Sequence, residues 1–357
     1  MKRNLSNFLF LAPSIAWVLL LLLESTLIKI HEVLYLVVGM IPFISSLIFM
    51  YYATILVVKR TKKTKLLFLL ISIICTFKYA DHLISFGTTP PDNAIELKVL
   101  TWNVQRLGAL SETENSAENL KYLSKILSSS KADVVILQEI SQKQTLQLLS
   151  YLNLKLENQK WTNYFQGSKG GLALLLLGNK DWYISNKMAT NLPPSWKCLY
   201  SELKHRTGQK INIFGVHITP PKVIDTEVKK VTKKLLLGKR SGIRKILRRY
   251  IRQAKMQTRQ VDKVNELVGT FSDPTIIAGD FNSTSQLPIH KELRANLYDT
   301  WLEGGNGIGS TRHWAKFLPF RIDYIYASKK FGIVTTEVGN SEFSDHNPVI
   351  TSLFINQ

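Results

Sequence analysis

Ile276-Ile277-Ala278-Gly279-Asp280-Phe281-Asn282 is the stretch whose reading decides the fold. A short apolar run that stops at a glycine, then offers a carboxylate, an aromatic ring and an amide, reads as a buried strand, Thr275 to Ala278, ending in a polar turn. The same pattern recurs along the chain. Leu97 to Val104 suits a strand and carries Asn103 near its end. Asp133 to Leu137 is followed by Glu139, and Ile211 to Val216 by His217. Asp323 lies in the strand Arg321 to Tyr326, while Asp345 and His346 stand just before the strand Val349 to Phe354. Gly171 to Leu177 and Leu199 to His205 are further strands. Ser116 to Leu127 places Leu120, Leu123, Ile126 and Leu127 at helical spacing. Several neighbouring strands lack room for a helix between them, so antiparallel pairing accompanies β–α alternation, and the fold class is a mixed α/β sandwich.

Taken singly, these polar residues say little. A strand-end Asn is commonly a turn residue, and a lone His after an apolar strand is commonly a satisfied core residue. Together they make a chemical set: carboxylates for a hard cation, two histidines, and amides able to hold phosphate oxygens. Strand ends on one edge of an α/β sheet can converge on a single cleft. Hydrolysis of a phosphate ester needs such a set, because the attacking water meets an anion. A divalent ion neutralises that charge, and a positioned base takes the proton of the water.

Gly279-Asp280-Phe281-Asn282 with Ser344-Asp345-His346-Asn347-Pro348-Val349, and the segments around them, resemble the endonuclease/exonuclease/phosphatase superfamily. The family's segments follow in the same order from Val99 to the C-terminus. The resemblance implies a four-layer α/β sandwich, two packed mixed sheets flanked by helices, over residues 96–357, and a metal-dependent hydrolase of phosphate esters. Matched by motif, Glu139 resembles the metal carboxylate, with Asn103 nearby and Asp345 assisting metal or water binding. His346 resembles the histidine that handles the attacking water or the phosphate, and Asp323 its orienting partner. By the same resemblance Asp280 would position or activate the nucleophile, Asn282 would contact phosphate, and His217 would bind a phosphoryl oxygen or protonate the leaving group. The implied cofactor is Mg²⁺, with Mn²⁺ as a substitute. Gln105 departs from the pattern, since many nuclease members carry an acidic residue two positions after this asparagine.

The N-terminal part has a different composition. Apolar runs near residues 7–24, 33–58 and 66–86 approach the ~20 residues that cross a bilayer as a helix. Residues 87–95 then read as a linker marked by Pro90 and Pro91. Lys2 and Arg3, with Arg60, Lys62, Lys63 and Lys65, place the N-terminus and the second loop in the cytoplasm. Three spans would make this an integral protein of a bacterial cell membrane with its catalytic part outside the cytoplasm; two spans would leave that part inside.

The chain carries a formal charge of +20, and Lys229 to Lys255 holds twelve Lys or Arg with no Asp or Glu. Such a block is either a solvated helix face or a surface for phosphate-rich partners. Expected partners are therefore the lipid bilayer and a phosphate-ester substrate, nucleic acid or phospholipid. In its later part the apolar stripe Ile243, Ile246, Leu247, Tyr250, Ile251 and Ala254 marks a helix. Cys75 and Cys198 have no metal-binding spacing. The glycine-rich stretch Gly304–Gly309 lacks the preceding strand and following helix of a dinucleotide site. It reads as a flexible loop beside the cleft, with Arg312, Trp314 and Trp301 as substrate contacts. The competing function is a non-catalytic, membrane-anchored binding module that keeps the fold.

Overall fold

The computed structural model describes residues 85–108, 116–152, 161–165, 171–177, 181–193, 196–220, 243–314 and 318–355. The three candidate spans, up to residue 84, and residues 229–242 of the basic block lie outside these. Among the described residues no helix is long and apolar enough to cross a membrane. Ser85 and Phe86, the last two residues of the expected third span, carry no helix.

In chain order the strands are β1 (Ile95–Asn103), β2 (Val134–Ile140), β3 (Trp161–Phe165), β4 (Gly171–Leu176), β5 (Trp182–Leu192), β6 (Trp196–His205), β7 (Lys210–His217) and β8 (Thr275–Asp280), then β9 (Leu297–Asp299), β10 (Arg312–Trp314), β11 (Leu318–Phe320), β12 (Asp323–Ser328), β13 (Phe331–Val338) and β14 (Val349–Ile355). The helices are α1 (Ser116–Ser130), α2 (Gln142–Tyr151), α3 (Ile243–Val268), α4 (Pro288–Asn296) and α5 (Thr300–Gly304).

Two six-stranded mixed sheets result, ordered β13-β14-β1-β2-β4-β3 and β5-β6-β7-β8-β12-β9. Each has one parallel pair near its middle, β1 with β2 and β7 with β8, and antiparallel neighbours outside it. The four parallel strands therefore end on the same side of their sheets as the antiparallel β12 and β14 begin. The expected α/β class holds, and this arrangement gathers the site residues on one edge.

Burial follows strand alternation. Val99, Val134 and Ile136 of the first sheet share a core with Leu199, Ile213, Ile276 and Ile325 of the second. Leu100, Val135 and Leu137 point the other way, onto Leu120, Leu123 and Leu127 of α1 and Leu148 and Leu149 of α2. Strands buried on both faces read as continuous apolar runs, which is why β1, β2, β4, β7 and β8 were visible in sequence. Helix α2 starts at a capping box, in which Ser141 Oγ accepts from Gln144 N–H and Gln144 Oε1 from Ser141 N–H. On the second sheet, His290 of α4 lies against the rings of Tyr324 and Tyr326 in β12.

The described residues belong to two compact units. The first contributes α3 up to Ala254 and residues 286–288, and the second contributes the rest. Within the second unit, part of the expected linker is docked. Thr88 donates its N–H and hydroxyl to Ile333 O at 2.7 and 2.9 Å, and Ser85 Oγ donates to Gly305 O. The glycine-rich loop also differs from expectation. It wraps Trp301, so that a Cβ at Gly305 or Gly309 would lie 2.5 or 2.4 Å from the indole. Trp301 is buried and donates to Gly307 O, and it is therefore a core residue, not a substrate contact.

Gly279, next to Asp280, has φ +153° and packs so closely on β7 that a Cβ would sit 1.9 Å from Val216 O. Gly279→Ala should destabilise the protein by more than ~2 kcal/mol, because both backbone and neighbour must shift. Urea denaturation is the check, and a loss under ~0.5 kcal/mol, the range of neutral surface changes, would refute the packing described.

Candidate active site

Asp280 ends β8 and lies directly beside His217 of β7 and Asp323 of β12 in the sheet register. Three residues from two strand ends and a strand start thus form one row. The first sheet supplies Asn103 at the end of β1 and Glu139 near the end of β2. Glu139 sits at a break in the β2–β4 register and takes φ 56°, so its side chain leaves the ladder instead of alternating with it. His346 arrives on the loop before β14. Its backbone is fixed by Trp102 Nε1, which donates to His346 O at 2.9 Å, and by Ser344 Oγ, which accepts His346 N–H at 3.1 Å. Ser344 Oγ also donates to Asn103 O at 2.7 Å.

Hydrogen bonds converge on Asp280, which is fully buried. Asn103 Nδ2 donates to Asp280 Oδ2 at 2.9 Å and to Glu139 Oε1 at 3.2 Å. Asn282 donates its N–H to Asp280 Oδ1 at 2.7 Å and its side-chain amide to Oδ2 at 3.1 Å. That amide also donates to Ile218 O at 2.9 Å, so both its hydrogens are used within the site. His217 Nε2 stands 3.7 Å from Asp280 Oδ2 and 3.8 Å from Glu139 Oε1. His346 Nε2 lies 3.8 Å from Asp280 Oδ2 and 3.8 Å from Asp345 Oδ1. On its other side, His346 Nδ1 meets both oxygens of Asp323, at 3.1 and 2.9 Å. Asp323 is held in turn by Thr311 Oγ1, which accepts its N–H at 3.1 Å.

Eight of the expected site residues, Asn103, Glu139, His217, Asp280, Asn282, Asp323, Asp345 and His346, therefore come together. Arg312 borders them, its Nη2 donating to Asp345 Oδ2 at 2.7 Å, and its backbone bridges to His346. The backbone of Trp314 pairs with Leu318, while its side chain lies outside the described residues. Other contributors had gone unassigned. Gln105 donates its N–H to Asn103 Oδ1 at 3.0 Å, and its Oε1 accepts Asp345 N–H at 3.1 Å. Gln257 of α3 donates to both Thr219 O and Asn282 O at 3.0 Å, joining the segments after β7 and β8. Gln260 accepts Thr219 N–H at 2.9 Å. Two glutamines continuing the apolar stripe of a helix were the available signal.

Electrostatics follow from this crowding. Burial and the neighbouring Asp323 raise the Asp280 carboxyl above its ordinary range, against the opposing pull of His346, His217 and the Asn103 hydrogen bond. Burial alone would lower His346, but Asp323 and Asp280 reverse it and push the imidazole up to about 9. The negative charge is incompletely matched, and the donors at hand are mostly carboxylate and amide oxygens, a set that fits a hard divalent cation. Ligand atoms of Asp280, Asp323 and His346 lie within 4.8 Å of one another, close enough to share an ion. The Asp323–His346 hydrogen bond, however, already occupies the facing atoms of that pair. Glu139 could also offer an oxygen to a cation, since its side chain keeps 27% of its exposure where Asp280 has none.

A family model described as endonuclease/exonuclease/phosphatase family matches residues 100–346. No curated protein matches the sequence. Among solved structures, D. rerio TDP2 complexed with a single-strand DNA product is similar at 16% identity and TM-score 0.54, covering 73% of this chain and 99% of that one. The human nocturnin catalytic domain with bound sulfate matches at 17% identity and TM-score 0.52, over 73% and 95% of the two chains. A protein of the same family description from Bacteroides thetaiotaomicron matches at 16% identity and TM-score 0.50, over 74% and 100%. At these identities the likeness concerns the fold.

A raised histidine stabilises the folded state fully below its ordinary value of 6.5 and loses that contribution as pH rises through about 9. Denaturation midpoints of the metal-free protein should therefore fall between about pH 7 and pH 10, and fall less in Asp323→Asn. Equal declines in the two proteins would show that the Asp323–His346 pair is not the source.

Proposed function

We propose, from the premise that this chain belongs to the endonuclease/exonuclease/phosphatase family, that it is a Mg²⁺-dependent phosphodiesterase acting by attack of water. The observation that carries the reading is the convergence of Asn103, Asn282, His217 and His346 on the sealed carboxylate of Asp280, with Glu139 beside it at the solvent side. The DNA product and the sulfate named for two structural neighbours are oxyanions of the kind this site suits.

In this mechanism Asp280 takes the proton of the attacking water, and its raised basicity favours that step. Asn103 and Asn282 hold the Asp280 carboxylate in place while it does so. His346, charged and oriented by Asp323, faces a non-bridging phosphate oxygen with Nε2. His217, on the other side of Asp280, stabilises the phosphoryl group or protonates the leaving oxygen. Mg²⁺, or Mn²⁺ in its place, held by Glu139 with help from Asn103 and Asp345, supplies charge neutralisation on the phosphate when bound. Arg312 and Trp314 border the substrate.

The proposed substrates are a nucleic-acid phosphodiester and a phospholipid headgroup. The support for a bilayer-anchored chain is the three apolar runs of the N-terminal sequence, near 7–24, 33–58 and 66–86. Their flanking charges support a catalytic part outside the cytoplasm.

The full chain with Mg²⁺ should hydrolyse bis(p-nitrophenyl) phosphate, and a chelator should stop it. Asp280→Asn and His346→Ala should each lower kcat by ~10²–10⁴. Undiminished turnover in both variants would remove these residues from the chemistry. Parallel assays with single-stranded DNA and with phosphatidylcholine vesicles decide the substrate class.

A further inference from the structure

Six non-glycine residues take the left-handed backbone region among the described residues, and five of them border the site. They are Gln105 (φ 44°), Arg106 (53°), Leu107 (63°), Glu139 (56°) and Asn282 (50°). The first three are consecutive, and Gly108 (73°) extends them into a four-residue left-handed turn shortly after β1. L-residues avoid this region because Cβ crowds the next carbonyl, and they normally enter it singly. Such a run persists only where its surroundings over-determine it.

Here they do. Gln105 is tied on one side to Asn103 and on the other to Asp345. Leu107 donates its N–H to Val104 O at 2.6 Å, buries its side chain, and accepts from Asn119 Nδ2 at 2.8 Å. Gln144 Nε2 donates to Arg106 O at 3.2 Å. Gly108 packs so that a Cβ would meet Phe343 O at 2.8 Å. Every tether uses backbone or a neighbouring side chain. The Arg106 guanidinium is left exposed, and no described residue pairs with it. Arg312, the other cation at this rim, is already engaged by Asp345. A strained turn, held by five hydrogen bonds and tied to Asn103 and Asp345 of the site, thus carries an exposed arginine that no described residue pairs.

We propose that Arg106 is a specificity determinant that binds a second phosphate of the substrate, adjoining the scissile one. The proposal rests on the phosphodiesterase reading for its reaction, but not for its binding test. A guanidinium–phosphate contact is charge-assisted and directional, and removing it should weaken binding about tenfold. Calorimetry on the full chain with Mg²⁺ would compare propyl phosphate with propane-1,3-bisphosphate, alongside bis(p-nitrophenyl) phosphate turnover. Wild type should bind the bisphosphate about tenfold more tightly than the monophosphate. Arg106→Ala should abolish that preference and leave monophosphate binding and kcat unchanged. Arg106→Gly, which relieves the backbone while removing the charge, should behave the same way and guards against misfolding. Arg106→Lys should keep part of the preference, and added salt should erode it. No preference in wild type, or a preference that survives in Arg106→Ala and Arg106→Gly, overturns the proposal. Absent turnover with the binding pattern intact would instead count against the catalytic reading alone.

Discussion

A carboxylate sealed from water either gathers donors or gives up its charge, and Asp280 sits where that demand can be met only by both sheets at once. Its own turn supplies Asn282, the adjoining strand brings His217, and the opposite sheet sends Asn103 across. His346 comes on the loop into β14, which is hydrogen-bonded to β1. The alignment of the two sheets is therefore coupled to the electrostatics of one buried group. A slip of a single residue in β8 would turn Asp280 to the other face, away from Asn103, His217 and His346.

The strands that carry this arrangement were legible because they are buried on both faces and read as unbroken apolar runs. Strands β3, β5 and β13 were not. Most of β5 between Ile184 and Leu192 faces water, so its polar residues hide the pattern. In β13 a register shift between Ile333 and Thr335 breaks the period of two. The identities of the site residues were legible for a different reason: few combinations of Asp, Asn and His make chemical sense together. Their supports were hidden. Ser344 holds Asn103 across 241 residues of sequence, and Gln257 holds Asn282 from a helix far from it in the chain. Spacing says nothing about contacts of that kind.

Trp301 shows how misleading an aromatic next to glycines can be. The glycines look like loop flexibility, yet Gly305 and Gly309 are there because the indole leaves no room for a Cβ. The residue that reads in sequence as a substrate contact instead fills the space beneath the loop. The left-handed backbone at Gln105 to Leu107, Glu139 and Asn282 marks where local preference gives way to the demands of the site.

Strand β14 lies inside its sheet, between β13 and β1, and His346 directly precedes it. A ribosome-bound chain that has emerged only as far as β13 would have a gap in the middle of its first sheet and no imidazole opposite Asp323. The strand that joins β13 to β1 and the imidazole that meets Asp323 are thus made together, so neither the first sheet nor the site can assemble before β14 exists.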